Sequence, residues 1–397
     1  MYKNFDIIIA GSGLAGLTSA IALSKIGYKI GLVDPRPFKD FLKKTYDFRT
    51  TALSYQAAEF YNKIESWKHI KKYTCPIRNI LVEEPTSGAY SYLNKKNLSD
   101  STLGFMIQNK NLFKVLLSIV EKNNNIIKID DKIIHFNRKK DKIFIDLEKE
   151  KLCSSLLIAA DGKNSFIRKT TNIKTFYKDY KQKAFIFNIK HQYSHKNLAT
   201  ENFLESGPLA SLPLLINKST KYSSIVWSCN MPYYYQFLKS KRKSLEMLIK
   251  RNLNKCYGDL EIISPISSWD LSLTNASKYV DHRILLIGDA AHAIHPIAGQ
   301  GFNLTIRGIN RFYETASTNY KDNQDLGCVN NLMSYNNAHY LDAKLLIMAT
   351  DRLNFLFSNN NIVLRVLRRN GIKVFNRINL LKSVFKNYAS HGKLSIT

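Results

Sequence analysis

Short, uninterrupted apolar runs mark the beginning of this chain. Ile7-Ile8-Ile9-Ala10 follows Phe5 and Asp6 without polar alternation, and Lys29 to Val33 ends a second such run at Asp34. Runs of this length with no alternation predict strands buried on both faces. Between them, Leu14 to Ile26 is rich in small residues and predicts a helix that packs closely on its sheet. The whole is a βαβ unit. From Asp34 to about Leu103 the pattern is irregular, punctuated by Pro35, Pro37, Pro76 and Pro85, with a strand signal only at Arg78 to Glu83. A helix is predicted over Asn111 to Lys122, alternating strands around Ile126 to Ile134 and Lys142 to Glu148, and a buried strand over Ser155 to Ala160.

The texture changes at about Tyr177. As far as Asp281 it consists of strand-like runs such as Ala184 to Lys190, Ser211 to Ile216 and Ser223 to Cys229, with few helical periods. The apolar run Arg283 to Ile287 and the Gly-rich segment after it return to the character of the N-terminus, and residues after Phe302 read as helices. The expected organisation is therefore a discontinuous first domain over 1–75, 100–176 and 282–350. A sheet-rich second domain takes 76–99 and 177–281, and a basic helical segment takes 351–397.

Composition adds little to this picture except charge. With 397 residues, 45% hydrophobic and 12% aromatic, the chain can bury a large core and is not a small module or a disordered chain. The formal charge of +28 suits nucleic acid, an anionic surface or an acidic ligand, but Lys and Asn are abundant everywhere, as in Glu121 to Asn125, and compositional bias accounts for it. Cys75, Cys153, Cys229, Cys256 and Cys328 are odd in number, lie far apart and form no Cys-x-x-Cys, so neither a disulfide framework nor a zinc site is indicated and a reduced cytoplasmic location fits. Ile7 to Ser24 is uncharged and as long as the ~18 residues that flag a membrane helix. Gly11, Gly13 and Gly16 interrupt it at a spacing that means something else.

Gly11-Ser12-Gly13-Leu14-Ala15-Gly16 is a G-x-G-x-x-G placed between a strand and a helix. The first glycine makes the turn, the second admits a pyrophosphate to the backbone, and the third allows close helix–strand packing. Asp34, 18 residues after Gly16 at the end of the second strand, is placed to accept from an adenosine ribose hydroxyl. Two further turns follow buried runs: Ala160-Asp161-Gly162-Lys163-Asn164-Ser165-Phe166-Ile167-Arg168 and Ile287-Gly288-Asp289-Ala290-Ala291-His292. A helix is predicted to begin near Phe302, behind Gly299-Gln300-Gly301, with its positive end at that turn. His292 and His295 are spaced i, i+3, but no Cys or nearby carboxylate completes a metal set, and no metal is expected. Trp227 and Phe203 read as core by default.

Three motifs in this order resemble the class A flavoprotein aromatic hydroxylases. Gly288-Asp289-Ala290-Ala291-His292-Ala293-Ile294-His295-Pro296-Ile297-Ala298-Gly299-Gln300-Gly301-Phe302-Asn303-Leu304 is similar to their ubiquinone-biosynthesis branch, as are Asp47 to Ser54, Gly207 to Leu214 and Thr350 to Ser358. The likeness runs to about Lys382. Three positions depart from that pattern: Gly308 stands where Asp is common, His339 where Arg is usual, and Gln108 where Glu is frequent.

The resemblance implies an α/β, para-hydroxybenzoate hydroxylase-like fold: a discontinuous Rossmann-like FAD-binding domain, a sheet-rich substrate domain and a helical C-terminus. It implies FAD held by Gly11, Ser12, Gly13, Leu14, Ala15, Gly16 and Asp34, by Arg49 on the pyrophosphate side, and by Gln108 near the ribityl or phosphate. Asp161 and Gly162 would fix the Gly-rich loop and the path of a transient NAD(P)H. Gly288 and Asp289 would meet the ribityl chain, with Pro296, Ala298, Gly299, Gln300, Gly301, Phe302 and Asn303 beside the ring system. No side chain is firmly assigned to catalysis; His295 and Pro296 are the nearby candidates. The implied activity is hydroxylation of the ring of a polyprenylated phenol by O2, through a flavin C4a-hydroperoxide, in ubiquinone biosynthesis. The alternatives are a flavoprotein reducing or epoxidising an isoprenoid lipid, a flavin-binding scaffold of a biosynthetic complex, and a nucleic-acid binder. The last rests only on charge and lacks a recognisable module. After Asp351 the last 46 residues contain no acid, and basic and apolar residues interleave there, which predicts peripheral association with the inner face of an anionic membrane.

Overall fold

Each run that reads as a buried strand near the N-terminus sits in one parallel sheet of the computed structural model, which describes residues 1–37, 40, 47–85, 88–94, 102–253, 257–296 and 299–357. The sheet has six strands in the order Val280–Asp281, Ile284–Leu286, Leu156–Ala159, Ile7–Ala10, Ile30–Asp34 and Ile126–Asp130. All neighbours are parallel except the first pair. Ile7, Ile8 and Ile9 are fully buried between helix layers, each burial worth roughly 1.5–3 kcal/mol. The uncharged stretch Ile7 to Ser24 is thus the central strand and most of helix Leu14–Ile26. No helix among the described residues is long and apolar enough to cross a membrane.

A nine-stranded sheet forms the second layer. It runs His292–Ala293, Ser267–Ala276, Thr175–His191, Ser219–Asn230, Gly207–Ile216, Leu198–Leu204, Asn79–Glu84 and Ala89–Asn94, with Leu260–Ile262 on a side of Thr175–His191. A three-stranded sheet of Thr50–Ser54, Gly104–Gln108 and Thr74–Ile77 lies between the layers, its side chains packed with Ala199, Leu212 and Leu214 of the large sheet. The last two described helices, Gln300–Lys321 and Val329–Phe357, pack on one another and close one end.

Two expectations are corrected. The described residues between Asp34 and Leu103 are not irregular. Besides their strands they include helix Tyr55–Lys63, which starts where Ser54 Oγ accepts from Ala57 N at 3.1 Å and buries Ala57, Ala58, Phe60 and Tyr61. Nor is the sheet-rich region short of helices. Asn230 caps helix Met231–Lys239, with Pro232 in its first turn, and Phe237 stacks on Phe185 at 3.9 Å. Helix Arg242–Asn252 follows, burying Leu245 and Ile249 at i, i+4. Both helices are short and cover one face of the sheet, so their apolar stripe is only two or three residues wide. The basic segment beyond Phe357, Cys256 and Ala298 lie outside the described residues.

Candidate functional site

Ligands of open parallel sheets bind beyond the carboxyl ends of the strands, and three of the motif turns meet there. Gly11 N donates to Val33 O at 2.7 Å, and Ala160 N to Ala10 O at 2.8 Å, so neighbouring strands lock the turns that leave them. The three glycines of the first motif have different reasons to be glycine. Gly11 has φ +99°, and a Cβ there would lie 2.4 Å from Ala160 O; one on Gly16 would lie 1.9 Å from Gly11 O. Those two are required by the protein. Gly13 has an ordinary φ of −67°, and a Cβ on it meets nothing within 4 Å. The space lies at the helix N-terminus, where the first-turn N–H groups have no intrahelical acceptor and a ligand's phosphate would fit. Leu14 and Ala15 flank the opening, half-buried.

Asp34 is buried and already engaged. Its Oδ2 accepts from both N and Oγ of Ser12 at 2.8 Å, and its Oδ1 from N and Nε of Arg36 at 3.0 and 3.2 Å. A ribose hydroxyl donating to Asp34 competes with Arg36, whose side chain is exposed.

The second and third turns are tied together by a residue that sequence reasoning did not single out. Buried Arg168 donates to Ala290 O at 2.8 Å and to Lys163 O at 2.7 Å. Asp161 Oδ2 accepts from Ile167 N at 3.2 Å, while its buried Oδ1 has no hydrogen-bond partner, an acceptor left for a ligand donor. Gly162, at φ +83°, is open above its Cα. Asp289 keeps exposed surface, yet protein surrounds it closely enough for burial to raise its pKa, with the charges of Arg49 and Lys163 pulling it back. It is the floor of a cleft. Arg49 is held by Asp47 through two 2.8 Å contacts and lies 5.0 Å from the Trp269 ring centroid; its pKa is raised mainly by the Asp47 hydrogen bond. Register Thr50↔Gln108 brings Gln108 beside Arg49, where Gln108 Oε1 accepts from Asn111 Nδ2 at 3.3 Å. This set fits FAD: an open glycine at a helix start, an unpaired buried acceptor, and an acid at a cleft floor with cations across it.

Gly299 N donates to Pro296 O at 2.9 Å, and Gly299, at φ +61°, opens helix Gln300–Lys321 against Ala52 of the three-stranded sheet. Gln300, Gly301 and Phe302 form its half-buried first turn. The Asn303 side chain is used by the protein: its Nδ2 donates to Ala52 O at 2.9 Å and its Oδ1 accepts from Ser54 N at 2.8 Å, clamping helix to strand.

His292 and His295 point to different partners. His295 Nε2 lies 3.1 Å from Gln182 Oε1, which also accepts from Asn354 Nδ2 at 3.3 Å, so that nitrogen carries the proton. His292 Nε2 meets His339 Nε2 at 3.2 Å, and a long 3.5 Å contact from Arg311 reaches His339 Nδ1. His339 Nε2 is therefore the donor of the pair. Burial lowers the pKa of His292 and of His295 to about 4, and it holds that of His339 well below the ordinary imidazole value as well. Gly308 and His339, two of the three departures, prove to be one feature, since a Cβ on Gly308 would sit 2.5 Å from His339 Nε2. The missing side chain makes room for the imidazole.

The nine-stranded sheet supplies the other wall. Phe185, Phe187, Leu209, Ile225 and Trp227 turn outward under the two short helices. The opposite face carries Ile186, Val226, Ala210, Glu201 and Val82 in one cross-strand row, all but Ala210 half-buried. This face meets the strand-end layer: Thr50 Oγ1 donates to Ser224 Oγ at 3.1 Å, and Phe203 packs with Leu353 and Leu356. Trp227 thus faces away from the cleft, its Nε1 donating to Ser206 Oγ at 3.1 Å, whereas Phe203 is on the inner face.

The sequence profile of the FAD binding domain family matches residues 4–311. Ubiquinone hydroxylase UbiL of Rhodospirillum rubrum is 28% identical over 389 residues, covering 98% of this chain and 90% of that protein. The mitochondrial ubiquinone biosynthesis monooxygenase COQ6 of Schizosaccharomyces pombe is 28% identical, covering 99% of this chain and 93% of its own. Among solved structures, p-nitrophenol 4-monooxygenase PnpA of Pseudomonas putida superposes with a TM-score of 0.79 over 97% of each chain at 15% identity. That likeness gives the fold, the α/β para-hydroxybenzoate hydroxylase-like architecture expected from the motifs.

Proposed function

The chain belongs to the FAD binding domain family, and on that premise we propose that it is an FAD-dependent monooxygenase hydroxylating the aromatic ring of a polyprenylated phenol in ubiquinone biosynthesis. The observation that carries the reading is the cleft itself. Three strand-end turns converge on one side, with space held open at Gly13, and a half-buried apolar row faces them from the large sheet. FAD, when bound, supplies the activation of dioxygen, because no side chain here can.

The protein's part is to bind, orient and dry the site. The helix N-terminus behind Gly13 would hold the pyrophosphate, and Asp289 would accept from ribityl hydroxyls, with Arg49 and Lys163 opposing the upward push of burial on its pKa. The first turn of Gln300–Lys321 would offer its free N–H groups to negative charge on a bound flavin ring. Ile186, Val226, Ala210 and Val82 offer the phenol ring an apolar ceiling that excludes water. The network His295, Gln182 and Asn354 joins the loop bearing Pro296 to the substrate sheet and to the closing helix. NAD(P)H serves as a transient reductant, and the segment 351–397 brings the enzyme to an anionic membrane surface, where a prenylated substrate resides. Flotation with anionic but not neutral vesicles, abolished by salt, tests that attachment.

The activity is tested with FAD-loaded protein, a reductant, labelled O2 and 2-dimethylallylphenol. One labelled oxygen on the ring is expected. Oxygen found on the alkenyl chain, or an unchanged phenol beside rapid reductant consumption, would overturn the reading.

A further inference from the structure

Resting on that reading, we propose that Glu201 receives the ring hydroxyl of the substrate, accepting its hydrogen bond and then its proton. Glu201 lies on strand Leu198–Leu204, two residues from Ala199 on one side and from Phe203 on the other. Ala199 packs against the three-stranded sheet, and Phe203 against Leu353 and Leu356. Alternation puts all three on the inner face, with Glu201 over the space between those two contacts. Its cross-strand neighbours are Ala210 and Val82, followed by Val226 and Ile186. One acid therefore stands alone in an apolar row.

Nothing among the described residues explains it. Among the described residues none donates a hydrogen bond to its carboxyl or forms an ion pair with it, and burial is the sole influence on its titration. An unpaired carboxyl in such a place is costly unless a ligand uses it. Yet Glu201 is only half-buried, so the enclosed side chain borders open space. Burial raises its pKa to about 7, which keeps both the accepting and the protonated form at hand near neutrality.

The proposed substrate has the matching shape: an apolar ring and chain with a hydroxyl as its polar atom. In the bound state the phenol O–H donates to a Glu201 carboxylate oxygen. On transfer the proton moves from the phenol oxygen to that oxygen, leaving a phenolate and a neutral acid, with no change in electron count. The charge released onto the ring raises its electron density at the carbons ortho and para to the oxygen, where hydroxylation needs it. The row Ile186, Val226, Ala210 and Val82 holds the rest of the molecule.

The test measures binding, not turnover. Calorimetry on oxidised, FAD-loaded protein compares 2-dimethylallylphenol with its methyl ether, which cannot donate. Wild type should prefer the phenol by about tenfold, as expected for a hydrogen bond to a charged group, and the preference should grow as pH rises through about 7. Glu201→Gln should bring the two ligands within about threefold of each other and flatten the pH profile at unchanged FAD content. Glu201→Leu should raise the melting temperature above pH 7, the opposite of what a structural acid would do. A Glu201→Gln protein that keeps both the preference and its pH dependence overturns the proposal, and so does a wild type that binds the phenol and the ether alike. If labelled oxygen still enters the ring in that wild type, the hydroxylase reading survives and the role of Glu201 alone falls. Absence of both ring oxygenation and phenol binding overturns the two together.

Discussion

Asp289 and Glu201 are both enclosed acids with accessible surface, and they stand in the two layers that face each other. Burial pushes both pKa values up. Beside Asp289, Arg49 and Lys163 resist that push; beside Glu201 nothing does. The strand-end wall therefore carries cations of its own that favour the charged form of its acid, although burial still outweighs them. The sheet wall leaves the charge of its acid to pH and to whatever binds. A wall that holds a permanent cofactor needs the first arrangement, and one that exchanges a proton with a passing substrate needs the second.

The largest effects should come from the glycines of the strand-end wall. Gly13→Val fills space that no protein atom occupies, so the chain should fold and bind FAD at least about 100-fold more weakly, roughly 3 kcal/mol. Gly16→Ala instead drives a Cβ to 1.9 Å from Gly11 O and should cost about 1–3 kcal/mol or more of stability in the absence of flavin. Thermal melts of both apoproteins, paired with flavin titrations, separate the two. An apo Gly13→Val protein that melts as early as Gly16→Ala would show that Gly13 serves the fold rather than a ligand. Next in size is Asp289→Ala, which removes a charged acceptor and should weaken FAD binding by about tenfold or more. Fluorescence titration of the apoprotein measures it, and unchanged affinity would remove Asp289 from the cofactor site.

The same contrast explains what could be read from the chain. The strand-end wall is built from contiguous turns, so Gly11 to Gly16, Asp161-Gly162 and Gly288-Asp289 are visible as words in the sequence. Their convergence follows from parallel strands ending on one edge. The sheet wall is built from every second residue of distant strands: Ile186, Val226, Ala210, Glu201 and Val82 share a row only through cross-strand register. Nothing in Leu198 to Leu204 says which face turns inward, which is why Phe203 and Trp227 read alike while the structure puts them on opposite faces. Gln182 and Asn354, 172 positions apart, meet for the same reason. Arg168 is different. It stands inside a recognised motif, but its two carbonyl partners belong to the folded loops and carry no signal in composition.

A smaller effect distinguishes the walls by pH. His292 and His295 are buried behind the strand-end wall with pKa values near 4, below the unfolded value of 6.5. The unfolded chain then binds more protons between those limits, so stability is present above pH 6.5 and is lost as pH falls toward 4, on the order of 1–3 kcal/mol per histidine. Glu201 acts in the opposite sense. Its raised pKa makes the folded chain bind the extra proton, so its contribution is present below 4.5 and is lost as pH rises to about 7. Denaturant midpoints across this range should rise with pH in Glu201→Leu more steeply than in wild type. Parallel curves would mean that Glu201 is not desolvated as its position implies.

The smallest expected effect concerns what backs the strand-end wall, because His292 lies three residues past Asp289 and rests on His339. Gly308→Ala in helix Gln300–Lys321 involves two opposed changes. Replacing a mid-helix glycine gains about 1 kcal/mol in propensity. The new Cβ would lie 2.5 Å from His339 Nε2 and 2.9 Å from its Cε1, an overlap costing about 1–3 kcal/mol in a packed interior. The ring cannot simply step aside, since His339 is 1% exposed and wedged among Tyr279, Tyr335 and His292. The net effect of Gly308→Ala alone should be destabilisation by about 1 kcal/mol. In a His339→Ala background the overlap disappears while the propensity gain stays, so the same substitution should stabilise by about 1 kcal/mol. The coupling from this double-mutant cycle, about 2 kcal/mol, measures how rigidly the imidazole is held. Additive effects would mean that the helix shifts to absorb the methyl group, and that the wall carrying Asp289 is softer than the fixed charge environment around that acid requires.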